Sequence, residues 1–459
     1  MGNARAATIN PTRVEELASW VTAAGWDRLS EPAREAMKIR VLDALGCAVG
    51  ALGSDVMTRV RHEVDEMGGN PLTTLIGGGR TSPDRAALHN SAAVRYLDFN
   101  DSFLAPGETC HPSDSLGAVL AAVEFAGGDG KDLLVALAVA YQVQCRLSEV
   151  APVRARGFDH VVQLAYAAAA GVARGLRLTR DETANAIAIA GTAFNGLRVT
   201  RTGRLSNWKG LAAPNTAFAA VHAAFLARAG ITGPDEIFEG NKGFEDSIAG
   251  PFVIDWSREE LDVVTRTSVK RFNAEFHSQS ALEAVIELRE EGLDSRRVRR
   301  VDLDIFQVAY DIIGGGEEGD KKIVRTKEEA DHSLPYMVAV GLLDGEVLPR
   351  QYEPARIRRA DVQDLLQLVH VRPDAGLTAR FPRDHACRVR VTLDDGTVLV
   401  REKSDFAGFV TRPAGWTDVE RKFRSLGGPA SLAELVRNLE HIKVSELCDA
   451  LASVGGDIR

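Results

Sequence analysis

The sequence predicts a mainly α fold: a large multi-helix domain, a smaller α+β domain inserted in it, and a return to helix at the end. Three observations predict this. Helical periodicity, rich in alanine and glycine, dominates up to about residue 268. Alternation with a period of two then appears at Val301, Leu303 and Ile305, and again on both sides of Asp394-Asp395-Gly396. Helical periodicity resumes from 417 to 453. The boundaries expected from these changes are 1–268, 269–402 and 403–459, the last packing back on the first. A chain of 459 residues is too long for one core, in keeping with that division.

Residues 1–9 read as a disordered tail. Asn10-Pro11 is a helix entry, with a cap and then a fixed φ, and Val14, Leu17, Ala18 and Val21 follow one helical face. A second helix opens at Ser30-Glu31-Pro32 and carries Met37, Val41, Leu42, Leu45 and Val49. Gly77-Gly78-Gly79-Arg80 lacks the lysine and hydroxyl of a phosphate-binding loop and reads as a turn. Helices are expected at 115–126, 131–149, 160–175, 180–192 and 212–230, where small residues allow close approach of axes. One helix at about 277–291 and another near 360–369 accompany the strands of the second domain. Asp-Gly at 395–396 marks a hairpin. Helices at 417–425, 430–440 and 443–453 close the chain.

Composition excludes several classes. Five scattered cysteines, never in a CxxC pair, argue against a disulfide framework or zinc site and for a cytosol-like compartment. No charged-then-apolar leader is evident at the start, and no apolar run reaches the ~18 residues of a spanning helix, so neither secretion nor a membrane is expected. The net charge of −9 disfavours nucleic acid. An anionic substrate would therefore need a local basic pocket. Gly314-Gly315-Gly316-Glu317-Glu318-Gly319 fits GxGxxG, but two glutamates in the turn would repel a pyrophosphate. No HxH, HExxH or calcium loop occurs, so no metal is expected.

The stretch with most chemistry is Arg95-Tyr96-Leu97-Asp98-Phe99-Asn100-Asp101-Ser102, followed by His111-Pro112-Ser113-Asp114-Ser115-Leu116-Gly117. A helical scaffold that breaks for a polar loop commonly does so for function, although the same residues also make an ordinary helix start. Of ten histidines, His111, His160, His277 and His332 lie near helix starts, where the dipole favours a neutral imidazole suited to base catalysis. Lys209 follows Trp208 in a basic loop and offers a carboxylate anchor or a desolvated amine.

Taken in order, these segments resemble the MmgE/PrpD family, which contains 2-methylcitrate dehydratases, cis-aconitate decarboxylases and iminodisuccinate epimerases. The resemblance rests on Leu97 to Asp101, His111 to Asp114, Trp208-Lys209-Gly210, Ile237 to Gly240 with Gly243-Phe244, Phe272 to Gln279 and Glu329 to Tyr336. It implies a helical domain built from both chain ends, an inserted lid, a homodimer, and catalysis without metal or organic cofactor between domain and lid. Carried over by position, the site comprises Asp98, Ser102, His111, His160, Lys209, His277 and Tyr336. Position 102 is commonly threonine in the family; the serine keeps the hydroxyl.

Asn100-Asp101 and the His-Pro-Ser-Asp run are similar to the dehydratase branch. The resemblance thus implies a hydro-lyase acting on a 2-methylcitrate-like hydroxy-tricarboxylate. Catalytic roles are expected for Asp98, His111, Lys209 and His277, and substrate binding for Ser102, His160 and Tyr336. The alternatives are decarboxylation of cis-aconitate or epimerisation of an imino-dicarboxylate at the same site, and, from another class, a helical binding protein without turnover.

Overall fold

The computed structural model describes residues 10–454; the tail expected at 1–9 lies outside them. Among the described residues, nine α-helices form the first part of the chain: α1 (Arg13–Thr22), α2 (Glu31–Ala51), α3 (Asp55–Met67), α4 (Pro83–Tyr96), α5 (Leu116–Phe125), α6 (Gly130–Val150), α7 (Val161–Gly175), α8 (Arg180–Ala193) and α9 (Trp208–Arg228). Local chemistry explains the starts. Ser30 and Ser54 accept from the backbone N–H of Ala33 and Met57, and Thr179 forms a capping box with Glu182. The alanine-rich faces of α4, α5, α7 and α9 pack on one another. At Gly117 the approach is so close that a Cβ would lie 2.4 Å from the backbone nitrogen of Ser91, so only glycine lets α5 cross α4 there.

One apolar core runs from Val14 to Val269 and takes up Val419, Phe423, Leu432, Leu439, Val444 and Leu451, so both chain ends share it. A second core runs from Phe272 to Leu393. In it α10 (Gln279–Glu290) and the helix Leu334–Asp344 pack together beside a four-stranded sheet. Two small hairpins precede that sheet: β1 (Thr73–Thr74) with β2 (Arg80–Thr81), and β3 (Phe103–Ala105) with β4 (Glu108–Cys110). The sheet itself comprises β5 (Val298–Ile305), β6 (Val369–Pro373), β7 (Cys387–Leu393) and β8 (Val398–Lys403), in the order β6-β5-β7-β8. β7 and β8 turn through Asp394-Asp395-Gly396 as expected. β6 runs parallel to β5.

Four expectations need correction. The helix expected near 360–369 ends at Gln367, and the next residues form β6, because pairing with β5 overrides a short local helical pattern. The helix expected from 212 starts at Trp208, so Lys209 sits in a first helical turn and not in a loop. The polar loop read between Ser102 and His111 is the β3–β4 hairpin, turned by Pro106-Gly107 with Gly107 at φ +81°. Finally, α6 and α9 are each 21 residues long, with mean hydropathy 1.3 and 1.2 over their most apolar stretch, long and apolar enough by composition to cross a membrane. Both are packed within the helical core, where neighbouring helices cover most of their surface.

Candidate active site

Three breaks in the helical scaffold, together with segments of the second core, surround one cavity of about 50 Å³. Its wall includes Arg95, Asp98, His111, His160, His277 and His332. The first break follows α4. Asp98 takes a left-handed backbone conformation, φ +56°, which aspartate tolerates better than most residues and which marks a locally strained turn.

The Asp98 carboxylate is the centre of a buried charge cluster. Oδ1 lies 2.7 Å from Arg95 Nη1 and 2.8 Å from Lys270 Nζ; Oδ2 lies 3.2 Å from Lys209 Nζ. Lys209 Nζ also reaches Asp331 Oδ1 at 2.5 Å, and Lys327 Nζ reaches Asp331 Oδ2 at 2.7 Å. Burial tends to raise Asp98, but Arg95, Lys270 and Lys209 outweigh it and hold the carboxyl well below the ordinary range. Asp331 is likewise held low against burial by Lys209 and Lys327. Burial lowers Lys209 against the pull of Asp331 and Asp98. Four cations thus face Asp98 and Asp331, with Asp114 a third acid 3.6 Å from Arg95, and the excess of positive charge sits in a low-dielectric interior.

The hairpin places the next group. The register Phe103↔Cys110 sets Ser102 and His111 side by side at its open end. His111 Nδ1 is 2.8 Å from the Asp101 carbonyl and 3.0 Å from Ser102 Oγ. A carbonyl only accepts, so Nδ1 carries the hydrogen and Nε2 keeps its lone pair. Burial, then Arg95 and Lys270, hold His111 well below its ordinary pKa. Beneath it, Ser113 Oγ donates to Asp101 Oδ1 at 2.6 Å, and Asn100 Nδ2 donates to Ser113 Oγ and Asp114 Oδ1. The Asn-Asp and Ser-Asp pairs of the two motifs therefore brace each other and do not reach the cavity. Burial raises Asp114 to about 7 despite Arg95.

Two further imidazoles repeat the His111 arrangement. His277 Nδ1 lies 2.7 Å from Glu275 Oε1, and His332 Nδ1 lies 2.9 Å from Asp331 Oδ1. In each case a carboxylate accepts the Nδ1 hydrogen and leaves Nε2 free. Burial lowers His332 to about 4 with the charge of Lys209; burial pushes Glu275 up, but His277, His332 and Lys270 together bring it down to about 2. His160 opens α7 beside Asp159, which is paired with Arg201 at 2.7 Å. Burial takes His160 down to about 3 against the attraction of Asp159.

Of the residues expected from the sequence, Asp98, His111, His160 and His277 line the cavity. Lys209 stands behind Asp98, and Ser102 behind His111. Tyr336 is not brought to it. The Tyr336 ring is buried in the second core and its hydroxyl donates to the Gln351 carbonyl, because the helix Leu334–Asp344 turns that face toward α10 and Tyr352. Sequence reasoning passed over Arg95, Lys270, Glu275 and Asp331, although each lay inside or beside a quoted motif. Nothing in the local pattern marked Lys270, which lies between Val269 and Arg271 in a mixed polar run. Glu318, read only as repelling phosphate, is also in the wall.

Asp98, Asp331 and His332 present three donors at a spacing that a divalent cation accepts. The ammonium of Lys209 already lies between the two carboxylates, which does not suit a second cation in the same place.

Residues 15–257 match the family model of the MmgE/PrpD N-terminal domain, and residues 272–444 that of the MmgE/PrpD C-terminal domain. The chain is 30% identical to 2-methylcitrate dehydratase of Escherichia coli K12 over 78% of either chain. It is 28% identical to mitochondrial 2-methylcitrate dehydratase of Yarrowia lipolytica, over 89% of this chain and 81% of the relative. Cis-aconitate decarboxylase of Mus musculus is 26% identical over 90% of this chain and 87% of the relative.

Proposed function

This chain belongs to the MmgE/PrpD family, and from that premise we propose that it is a metal-independent hydro-lyase acting on a 2-methylcitrate-like hydroxy-tricarboxylate. The observation that carries the reading is the buried cationic excess of Arg95, Lys209, Lys270 and Lys327 beside an imidazole, His111, whose Nε2 is free. A polyanion with an acidic C–H next to a carboxylate fits that pairing of charge and base.

In this mechanism His111 Nε2 removes the proton α to a substrate carboxylate. Charge develops on that carboxylate and is stabilised by the lysine and arginine cluster. The C–O bond to the hydroxyl then breaks as His277 Nε2 supplies a proton, releasing water and the unsaturated tricarboxylate. Glu275 stabilises the imidazolium from which that proton comes. Ser102 and the Asp101 carbonyl fix the ring of His111, and His160 orients substrate. Asp98 was the expected partner of His111 in proton transfer. Three cations hold it anionic, so its role here is to anchor Lys209 and Lys270. The resemblance further supports a homodimer, which light scattering of the purified protein tests.

The reaction is tested by following ultraviolet absorbance with racemic 2-methylcitrate, citrate and cis-aconitate, with and without chelator. Chelator-resistant growth of an unsaturated tricarboxylate signal from 2-methylcitrate is expected. Carbon dioxide release from cis-aconitate without hydration product would replace this reading by a decarboxylase. Tight tricarboxylate binding without any turnover would replace it by a binding protein.

A further inference from the structure

The glycine-rich run 314–319 opens no nucleotide site. Tyr310–Gly314 forms a single wide helical turn, Gly315 follows at φ +108°, and Gly319 stands at φ +94°. Between them Glu317 and Gly319 face solvent, yet Glu318 is turned inward and only 2% of its side chain is exposed. Its carboxylate crosses from the second core to the helical domain and meets two arginines. Arg198 Nη2 lies 2.5 Å and Arg154 Nη2 3.5 Å from the same oxygen, Oε1.

This contact is incomplete. Oε2 of Glu318 and Nε of Arg198 are both buried and have no hydrogen-bond partner. A guanidinium and a carboxylate can make two parallel bonds, and here they make one. The two arginines also repel: burial and then Arg198 lower Arg154. The pair therefore requires an anion at all times, but nothing requires that anion to be Glu318. The loop that delivers it is tied back by two main-chain bonds, Gly316 N–H to the Tyr310 carbonyl and Glu318 N–H to the Asp311 carbonyl. Arg154, Arg198 and Glu318 line the same cavity as His111 and His160.

We propose that Arg154 and Arg198 form a carboxylate-binding subsite of this cavity, and that Glu318 fills it as an internal stand-in until a ligand carboxylate displaces it. Glu318 is then a specificity-determining residue. A ligand with a carboxylate at that corner exchanges one buried ion pair for another, whereas a ligand without one must leave Glu318 in place. The proposal rests on the polycarboxylate reading above only for the identity of the ligand; the exchange itself concerns any anion that bridges two guanidinium groups.

Two probes separate the two readings. Calorimetric titration with tricarballylate, a tricarboxylate with no hydroxyl to lose, measures ligand binding. The rise in melting temperature with sodium sulfate, taken relative to the variant lacking both Glu318 and Arg198, measures the subsite. If Glu318 holds the subsite about ten times as often as not, Glu318→Gln tightens tricarballylate about tenfold, and adding Arg198→Gln reverses the gain. The sulfate-induced rise is expected to grow in Glu318→Gln and to fall back in the double variant to the general stabilisation that sulfate gives. Measurable tricarballylate binding that is equal or weaker in Glu318→Gln, or the same sulfate rise in all three proteins, overturns the exchange. Should no protein bind tricarballylate while sulfate still separates the variants, the subsite stands and the tricarboxylate reading falls. Glu318→Ala repeats the measurement should the glutamine variant fold poorly.

Discussion

Glu275 accepts two hydrogen bonds from His277, one from its backbone N–H and one from Nδ1, both at 2.7 Å. The same carboxylate thus starts the turn that carries the imidazole and selects its tautomer. Replacing Glu275 by Gln keeps the volume but takes away the negative charge facing the imidazolium from which Nε2 supplies its proton. Loss of that carboxylate lowers turnover by orders of magnitude in a comparable carboxylate–imidazole pair. For Glu275→Gln a fall in kcat of at least ~10-fold is expected, with KM changed less. Full turnover in that variant would remove His277 from the chemistry.

His111 is the proposed base, held by the Asp101 carbonyl and Ser102. His111→Asn is expected to lower kcat/KM by ~100-fold or more, the contribution of a positioned base. Ser102→Ala removes only one of two neighbours at Nδ1 and is expected to lose far less. Steady-state rates on both variants check the order, and a larger loss from Ser102→Ala would contradict it.

Lys209 and Asp331 come from segments 122 residues apart and make one buried pair. Their removal is not symmetrical. Asp331→Asn strips charge from the partner of both Lys209 and Lys327, leaving two ammonium groups less compensated. A loss of about 3–5 kcal/mol is expected, as for other broken buried pairs. Lys209→Met leaves Asp331 with Lys327 and Asp98 with Arg95 and Lys270, so its melting temperature should fall less while its kcat/KM falls ~100-fold. Thermal melts beside activity assays decide; equal destabilisation would show that Lys209 is chiefly structural.

Stability should depend on pH with opposite signs on two groups. His160 and His332, at about 3 and about 4 in the fold, titrate near 6.5 when unfolded. The unfolded chain takes up those protons first, so this part of the stability is complete above about pH 6.5 and is lost as pH falls toward 4. Asp114, at about 7 in the fold, keeps a proton that the unfolded chain gives up above about pH 4, so its part is lost progressively from about pH 4 and is gone once pH has risen through 7. Differential scanning calorimetry is expected to show a melting temperature rising from pH 4.5 to 6.5. Asp114→Asn, which removes the opposing loss between about pH 4 and 7, should steepen that rise. A protein most stable at pH 4.5 would show that the buried imidazoles are not neutral.

Local pattern in the chain is enough to place most helices of the first domain, though not α3 or α4, together with the Asp-Gly hairpin, the polar break after Tyr96 and the order of motifs that marks the family. Each of these depends on neighbours within one or two turns, where periodicity and capping act. It is also enough to bring forward His111, His160 and His277, because polar residues beside apolar helix starts stand out without any partner being known; Asp98 as a site residue came from the family resemblance. What the tertiary structure alone decided is which charge answers which. Lys270 meets Asp98 across 172 residues, and Glu318 meets Arg198 across 120. Tyr336 lies in a matching motif yet its hydroxyl is spent on the Gln351 carbonyl inside the second core. Buried charges must be paired, and the choice of partner is made by packing between segments remote in sequence, so no local pattern carries it.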